Sequence, residues 1–277
     1  MRRGAFTLRR ASASALLSAA LLALFDLGAA HAGAWAQESG RGLAILTFVF
    51  DSANAAFESR DVQGQTTDFT KYEADLYTEY GVSDRFTVVF RAPYQRIVDR
   101  SGDETQRLTG AGEVELAVRA NLWRRGGFVV SAQPLIGFPG EARGGGQAPL
   151  EAAGRFYEGR LLLGWGGDVG GRDVFWSADG GYRIREGPAP DEWRADAAIG
   201  LSVRPSTKLI AQSFNTVSAG EARAPFADFR SHKVQASAVQ RVSDSISLQF
   251  GGFRTVAGEN VIKEVGGFTA LWWEFRP

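Results

Sequence analysis

Charged residues recur at every second position in several stretches of this chain, and they are the groups best placed to do chemistry. Between Lys71 and Glu79 the odd positions are mostly charged, whereas the even positions are apolar, aromatic or hydroxyl-bearing. Successive side chains of a strand point to opposite faces, so these charges share one face. The candidates that this alternation assigns to a common inner face are Lys71, Glu73, Asp75, Arg91, Glu115, Arg119, Arg160, Asp179, Arg183, Arg194 and Asp196.

Two kinds of chemistry are open to such a face. If it lines a water-filled path, its charges set which solutes pass. If it encloses a narrow space, opposite charges neutralise each other as a salt-bridge lattice. The contacts expected from hairpin register are Asp75 with Arg91, Arg185 with Glu192, Arg183 with Arg194 directly opposite, and Arg183 with Asp196 on the diagonal.

A third chemistry, hydrolysis, would depend on His232. A serine nucleophile needs a base within hydrogen-bond reach, and Ser213 and Asn215 are expected on the neighbouring strand, on the same outward face. These three residues are weak evidence for a catalytic site. A lone histidine at the membrane interface is better explained as an amphipathic boundary residue. There is no cysteine, which disfavours a soft-metal site. We therefore predict no enzyme activity, no metal and no cofactor.

The elements that position the charged residues are strands that recur about every 20 residues, as in transmembrane barrels. The clearest is 192–204, whose polar face carries four charges and whose other face carries none. The twelve predicted strands lie at about 43–52, 71–80, 86–95, 113–122, 128–136, 158–165, 174–185, 192–204, 209–216, 233–238 and 246–250, with the last ending at 275.

The connections between these strands alternate in length. Short turns fall near 82–85, 124–127, 167–172, 204–207 and 242–245, and longer segments near 54–68, 99–111, 139–156, 218–229 and 257–263, with a shorter one at 186–191. A membrane barrel with both ends in the periplasm requires this pattern, whereas a soluble sandwich does not. Because lipid offers no partner to free backbone groups, the sheet must close. We predict an all-β, twelve-stranded antiparallel up-and-down barrel in the outer membrane of a Gram-negative bacterium.

The first 36 residues have the layout of a cleaved export signal. Four arginines precede an apolar stretch at 15–25, and small residues follow it. Cleavage after Ala32 or after Ala36 fits; the second is preferred and assigns residues 1–36 to the signal peptide and 37–277 to the barrel. The remaining chain has 27 basic and 30 acidic residues, a net charge near −3 that argues against a nucleic-acid partner.

Several short motifs carry a resemblance to a known family. They are Glu79-Tyr80-Gly81-Val82-Ser83-Asp84-Arg85, Ala92-Pro93-Tyr94, Gly110-Ala111-Gly112-Glu113-Val114-Glu115-Leu116 and Leu271-Trp272-Trp273-Glu274-Phe275. With them, the chain resembles the porin-like outer-membrane barrels of the meta-pathway of phenol degradation and, more loosely, aromatic-hydrocarbon and fatty-acid transporter barrels. The resemblance implies passage of small molecules, including aromatic ones.

The chain departs from those barrels at both ends. Arg276 and Pro277 follow Phe275, whereas barrels of this kind usually end on the aromatic residue that the insertion machinery reads. The few residues between Ala36 and the first strand are expected to be too short to form an N-terminal plug like that of the fatty-acid transporters.

The predicted function is passive passage of small solutes through a charged lumen. The alternative is a closed structural or adhesion barrel that acts through its outer loops, of which 139–156 is the longest. The expected partners are outer-membrane lipid and lipopolysaccharide, the barrel-insertion machinery and a small-molecule solute.

Overall fold

The computed structural model describes residues 33–57, 66–101, 104–143, 154–220, 222–223 and 226–276. They form twelve strands: β1 (Gly42–Phe57), β2 (Thr66–Ser83), β3 (Phe86–Ser101), β4 (Glu104–Ala111 and Val114–Arg125), β5 (Phe128–Phe138 and Ala142–Arg143), β6 (Phe156–Asp168), β7 (Asp173–Arg185), β8 (Asp191–Arg204), β9 (Thr207–Ala219), β10 (Arg230–Arg241), β11 (Ile246–Glu259) and β12 (Val261–Ile262 and Val265–Phe275). Residues 1–32 of the predicted signal peptide, and parts of the predicted loops 54–68, 99–111, 139–156 and 218–229, lie outside the described residues.

The sheet closes on itself because β1 pairs with β12 as well as with β2. The β1–β12 ladder is antiparallel and runs from Gly42 opposite Phe275 to Ser52 opposite Val265. The strands between them pair in chain order, each antiparallel to the next. The predicted fold class, a twelve-stranded antiparallel barrel, is confirmed. In the part of the chain that the structure describes, no helix is long and apolar enough to cross a membrane.

The two faces of the strands have the predicted polarity. On β2, Lys71 and Glu73 are buried inside the barrel, while Tyr72 and Leu76 are exposed on its outer surface. The same outer surface displays large apolar side chains on the other strands, such as Leu161. An apolar exterior around a polar interior, with no free sheet edge, is the arrangement that lets strands cross a bilayer. The chain is therefore an outer-membrane barrel.

The connections at one end of the barrel match the prediction, whereas two at the other end do not. The five short turns join β2 to β3, β4 to β5, β6 to β7, β8 to β9 and β10 to β11, and we call this the short-turn end. At the opposite, long-loop end, the predicted loops 99–111 and 257–263 are wrong. Strands occupy most of both segments, with a tight turn at Asn260 (φ 54°) in the second. Strands that extend beyond the bilayer no longer need an apolar outer face, so their alternation is lost from the sequence.

Pro134 interrupts the β4–β5 ladder. Paired residues continue on both sides of it, with Leu135 opposite Ala117 and Ala132 opposite Ala120, but the pairs between them are missing. Proline has no backbone N–H to donate, so a ladder breaks where proline faces it. On its other side the residue remains paired, opposite Gly159 of β6. The strand therefore continues past a local break in one of its two ladders.

The outer face of β6 provides a direct test of membrane contact. Leu161 is 65% exposed near the middle of the strand, so we expect Leu161→Arg to destabilise the folded barrel by about 2–4 kcal/mol, the cost of arginine at the bilayer midplane. The measurement is reversible unfolding in lipid vesicles. Arg124→Gln, which changes an exposed residue at the short-turn end, is the control and should have little effect. Equal stability of Leu161→Arg and wild type would contradict the proposed lipid contact.

Candidate functional site: the lumen of the barrel

The centre of the lumen contains an ion-pair lattice built around Arg183 of β7. This side chain is 1% exposed, and its guanidinium contacts the carboxylates of Glu113 (3.4 Å), Glu115 (3.1 Å) and Glu158 (2.6 Å). The ring of Phe156 lies against it, with 3.8 Å between the guanidinium Cζ and the ring centroid. The planar face of the guanidinium is thus covered by an aromatic ring, and its nitrogen atoms contact three acids from β6 and the middle of β4.

Neighbouring arginines extend the same lattice. The contacts are Arg185 with Glu113 (2.6 Å) and Glu192 (2.6 Å), and Arg160 with Glu158, Asp179 (2.9 Å) and Asp196 (3.0 Å). Buried charges are tolerated only where partners replace their hydration. Because several acids share each arginine, loss of one member leaves the others buried without full compensation.

A second group of ion pairs lines β2 and its neighbours. The contacts are Arg91 with Asp75 (3.0 Å) and Glu73 (3.9 Å), Lys71 with Glu73 (3.2 Å), and Arg119 with Glu79 (2.8 Å). Arg119 also donates from Nε to the side-chain oxygen of Gln133 at 3.0 Å. Lys71 and Glu73 are neighbours on the inner face of β2, and the other pairs join different strands at distances where opposite charges interact directly.

The structure places every predicted inner-face residue inside the barrel. These are Lys71, Glu73, Asp75, Arg91, Glu115, Arg119, Arg160, Asp179, Arg183, Arg194 and Asp196. Most of them belong to one of the two groups of ion pairs. The salt-bridge lattice is therefore present along β2 to β8, whichever role the lumen has.

Two of the predicted contacts form, but the predicted register of the β7–β8 hairpin is wrong. The contacts of Asp75 with Arg91 and of Arg185 with Glu192 are confirmed. However, Arg183 lies opposite Glu192, Arg194 opposite Gly181, and Asp196 opposite Asp179, so neither Arg194 nor Asp196 has the predicted position relative to Arg183. The carboxylate of Asp191 accepts the backbone N–H of Arg185 at 2.9 Å. This contact closes the turn in the observed register, which lies two residues away from the predicted one.

The inner face toward the short-turn end is apolar, which the sequence analysis missed. The buried cluster there consists of Leu43, Ile45, Tyr77, Val89, Ala117, Ile210, Val239, Ala270 and Trp272. On β1 both faces are apolar, since Leu46 and Phe48 point outward while Leu43 and Ile45 point inward. Alternation of polarity could not separate those faces.

The segment immediately before β1 enters the lumen at the short-turn end. The carbonyl oxygens of Ala34 and Trp35 accept hydrogen bonds from the Ser131 hydroxyl (2.5 Å) and the Arg119 guanidinium (3.0 Å). The Trp35 ring packs edge-on against Phe175, with 6.3 Å between the ring centroids. These contacts hold the segment against the inner wall, well inside the end of the barrel.

Gln37 ties the same segment to β2 and β3. Its side-chain amide donates to the Glu79 carboxylate at 2.7 Å, and its backbone N–H donates to the Thr87 hydroxyl at 2.8 Å. Ala34 and Trp35 fall within the predicted signal peptide 1–36, so the prediction gave this segment no place in the lumen.

A cavity of about 410 Å³ remains beside the N-terminal segment. Its lining includes Trp35, Phe175 and Leu43 together with the polar side chains of Glu79, Gln212 and Lys208. The Lys208 ammonium lies 5.3 Å from the centroid of the Phe175 ring. The cavity thus combines an aromatic surface with a small number of hydrogen-bonding groups, as small-molecule sites do.

Glu264 is a further lumen residue that the prediction missed. It lies in the break of β12, where the sequence suggested the edge of a loop, and it is buried. Its carboxylate contacts the Lys233 ammonium at 2.6 Å and accepts the Thr255 hydroxyl at 3.3 Å. Asp51 of β1 is also fully buried, opposite Lys71. A single charge in an apolar strand gave no alternating pattern that could identify it.

The outward polar group on β9 and β10 has a geometry that does not suit hydrolysis. His232 and Asn215 lie opposite each other, with 2.7 Å between the imidazole Nδ1 and the amide oxygen. The amide nitrogen of Asn215 donates to the Ser213 hydroxyl at 3.1 Å, and Ser213 lies opposite Val234. The asparagine thus separates the hydroxyl from the imidazole, whereas a nucleophile must contact its base.

Among the described residues, no three His, Cys, Asp or Glu side chains are placed to hold a metal ion. Each carboxylate of the central lattice faces arginine instead, which already supplies the positive charge. The site that the fold defines is therefore a charged and partly apolar lumen inside an outer-membrane β-barrel.

Comparison with known proteins gives structural likeness without sequence likeness. The fold is similar to an outer membrane channel from Pseudomonas putida F1, with 16% identity over 88% of this chain and 99% of that one, at a TM-score of 0.63. It is also similar to the transport unit of the autotransporter AIDA-I from Escherichia coli, with 10% identity over 94% of this chain and 96% of that one, at a TM-score of 0.54. The NanC porin has 9% identity over 83% of this chain and 98% of that one, at a TM-score of 0.52. No family model and no curated protein matches the sequence.

Proposed function

We propose that the protein is an outer-membrane channel for small solutes. The observation that carries this proposal is the cavity of about 410 Å³ that remains inside the barrel beside a short, non-strand segment. A barrel built only for rigidity has no need of an unfilled space lined by both aromatic and hydrogen-bonding groups. The likeness to an outer membrane channel and to a porin supports the same function.

The solutes that this lumen suits are small aromatic molecules with a polar or acidic group. Trp35 and Phe175 offer ring surfaces, while Lys208 offers a positive charge beside one of them. Aromatic rings favour edge-on and offset contacts with each other. The resemblance to the phenol meta-pathway barrels supports this choice of substrate, and the predicted inner-face charges would act as the filter above the cavity.

The closed structural barrel is the second candidate, and the central lattice favours it. Arg183 and its acids extend across the interior from β7 to β4. Single-channel recording in planar bilayers separates the two functions. Ohmic steps from the wild type, or from a Trp35→Ala variant, support the channel. Silence from both, with folding verified by resistance of the barrel to unfolding in detergent, would contradict it.

We also propose that export cleavage follows Ala32, the alternative to the preferred site after Ala36. Cleavage after Ala36 would remove Ala34 and Trp35, which are packed against the lumen wall, with Ala34 fully buried. We expect the mature protein, isolated from outer membranes, to begin at Gly33. Intact-mass measurement checks this, since the two products differ by four residues. A mature chain that begins at Gln37 would contradict the proposal and would leave the cavity open.

A further inference from the structure

The outer surface of β2 to β4 changes from aromatic to basic at one height. Tyr72 and Tyr94 are 53% and 58% exposed on the outside of the barrel. Two residues beyond Tyr94, toward the long-loop end, the outward position of β3 is Arg96, and Arg100 follows on the same face. Exposed tyrosines mark the interface between hydrocarbon and headgroups in membrane barrels. The arginines therefore lie at the level of the outer-leaflet headgroups.

A third arginine from β4 completes this group, which we call the basic patch (Arg96, Arg100 and Arg107). Arg107 lies opposite Val98, so it is diagonal to both of the β3 arginines. Diagonal positions in an antiparallel pair are about 7–8 Å apart, within reach of long side chains. All three side chains are exposed. Their spacing suits one ligand that several guanidiniums contact together.

The patch keeps an excess of positive charge. Asp68 of β2 contacts Arg100 at 3.0 Å, with both side chains more than half exposed. Among these four side chains, the positive charges still exceed the negative by two. Arg96 lies opposite Tyr72 and Thr109, which carry no charge. Like charges at such distances repel unless an anion lies between them, so the arrangement favours a multivalent anion.

We propose that the basic patch binds the phosphate groups of the outer-leaflet glycolipid, lipopolysaccharide. The planar guanidinium matches phosphate oxygens with two parallel hydrogen bonds. A glycolipid places its acyl chains against the apolar surface below and its phosphates at the level of the arginines. Solutes in the lumen cannot reach these side chains, because they lie on the outer face of the wall. This site is independent of the proposed channel.

The test measures the thermal midpoint of the purified barrel in detergent with added lipopolysaccharide. The variants are Arg96→Gln with Arg107→Gln, and a control with the same loss of charge, Arg85→Gln with Arg124→Gln, at the short-turn end of the barrel. We expect half-maximal stabilisation of the patch variant to need about tenfold more lipopolysaccharide, as expected for lost hydrogen bonds to a charged group. The control should behave like the wild type.

Two further ligands identify the source of the phosphate. Lipopolysaccharide stripped of its lipid A phosphates should stabilise the wild type no better than the patch variant. Inorganic phosphate alone, at matched phosphate concentration, should give no shift. Equal stabilisation of the wild type and the patch variant, or a full shift with inorganic phosphate, would overturn the proposal.

Discussion

We expect a barrel that lacks residues 33–37 to conduct several times better than the same barrel that begins at Gly33. The segment contributes the Trp35 ring beside Phe175 and the Gln37 contact with Glu79. Its removal enlarges the cavity at the short-turn end and leaves no other described segment outside the strands in that part of the lumen. The measurement is single-channel conductance of two refolded proteins, one that begins at Gly33 and one that begins at Glu38.

Point variants show whether the ring itself obstructs the path. Trp35→Ala should raise conductance in the same direction as the deletion but by a smaller factor, because the backbone of the segment remains. Trp193→Ala removes the same ring from the outer surface, where it is 60% exposed, and should leave conductance unchanged. Unchanged conductance in the deletion would mean that the central lattice, and not the segment, limits the flow.

Loss of Arg183 is the variant expected to cost most stability. Arg183→Met keeps much of the side-chain length but leaves Glu113, Glu115 and Glu158 without their shared cation. Breaking a buried ion pair by removing one partner costs about 3–5 kcal/mol. The expected result is a fall of that size in the free energy of unfolding in lipid vesicles at neutral pH.

An exposed ion pair on the same barrel provides the control. Arg230 contacts Glu259 at 3.2 Å, with side chains 58% and 37% exposed. Arg230→Met should therefore cost at most about 1 kcal/mol, the usual range for surface pairs. The double variant of Arg183→Met with Glu158→Gln should be less destabilised than the sum of its single variants, because the two side chains interact. Equal losses for Arg183→Met and Arg230→Met would mean that the lattice is hydrated and open.

The lattice and the cavity occupy different parts of the lumen. Ion pairs occupy the inner face of β2 to β8, whereas the apolar cluster and the cavity lie toward the short-turn end. In the proposed channel, a solute would pass between a charged region and an aromatic one. The inner-face charges would act as the filter, and the N-terminal segment lies in the lumen at the short-turn end.

The sequence by itself determined the fold class and most of the charges that face inward. A strand with lipid outside and water inside must alternate in polarity, so the pattern at 71–80 and 192–204 is imposed by the membrane and can be read without coordinates. The same assignment of strands also located the five short turns between them. It failed at 99–111 and 257–263, where strands leave the bilayer and the alternation is no longer required.

Only the tertiary structure decided which charges meet and what lies in the lumen. The β7–β8 register differs by two residues from the predicted one, so Arg183 lies opposite a glutamate and not opposite an arginine. Contacts from Glu113 to Arg185, and from Trp35 to Phe175, cross the barrel between residues far apart in the chain. Such contacts depend on barrel closure and on side-chain packing, which local alternation does not encode.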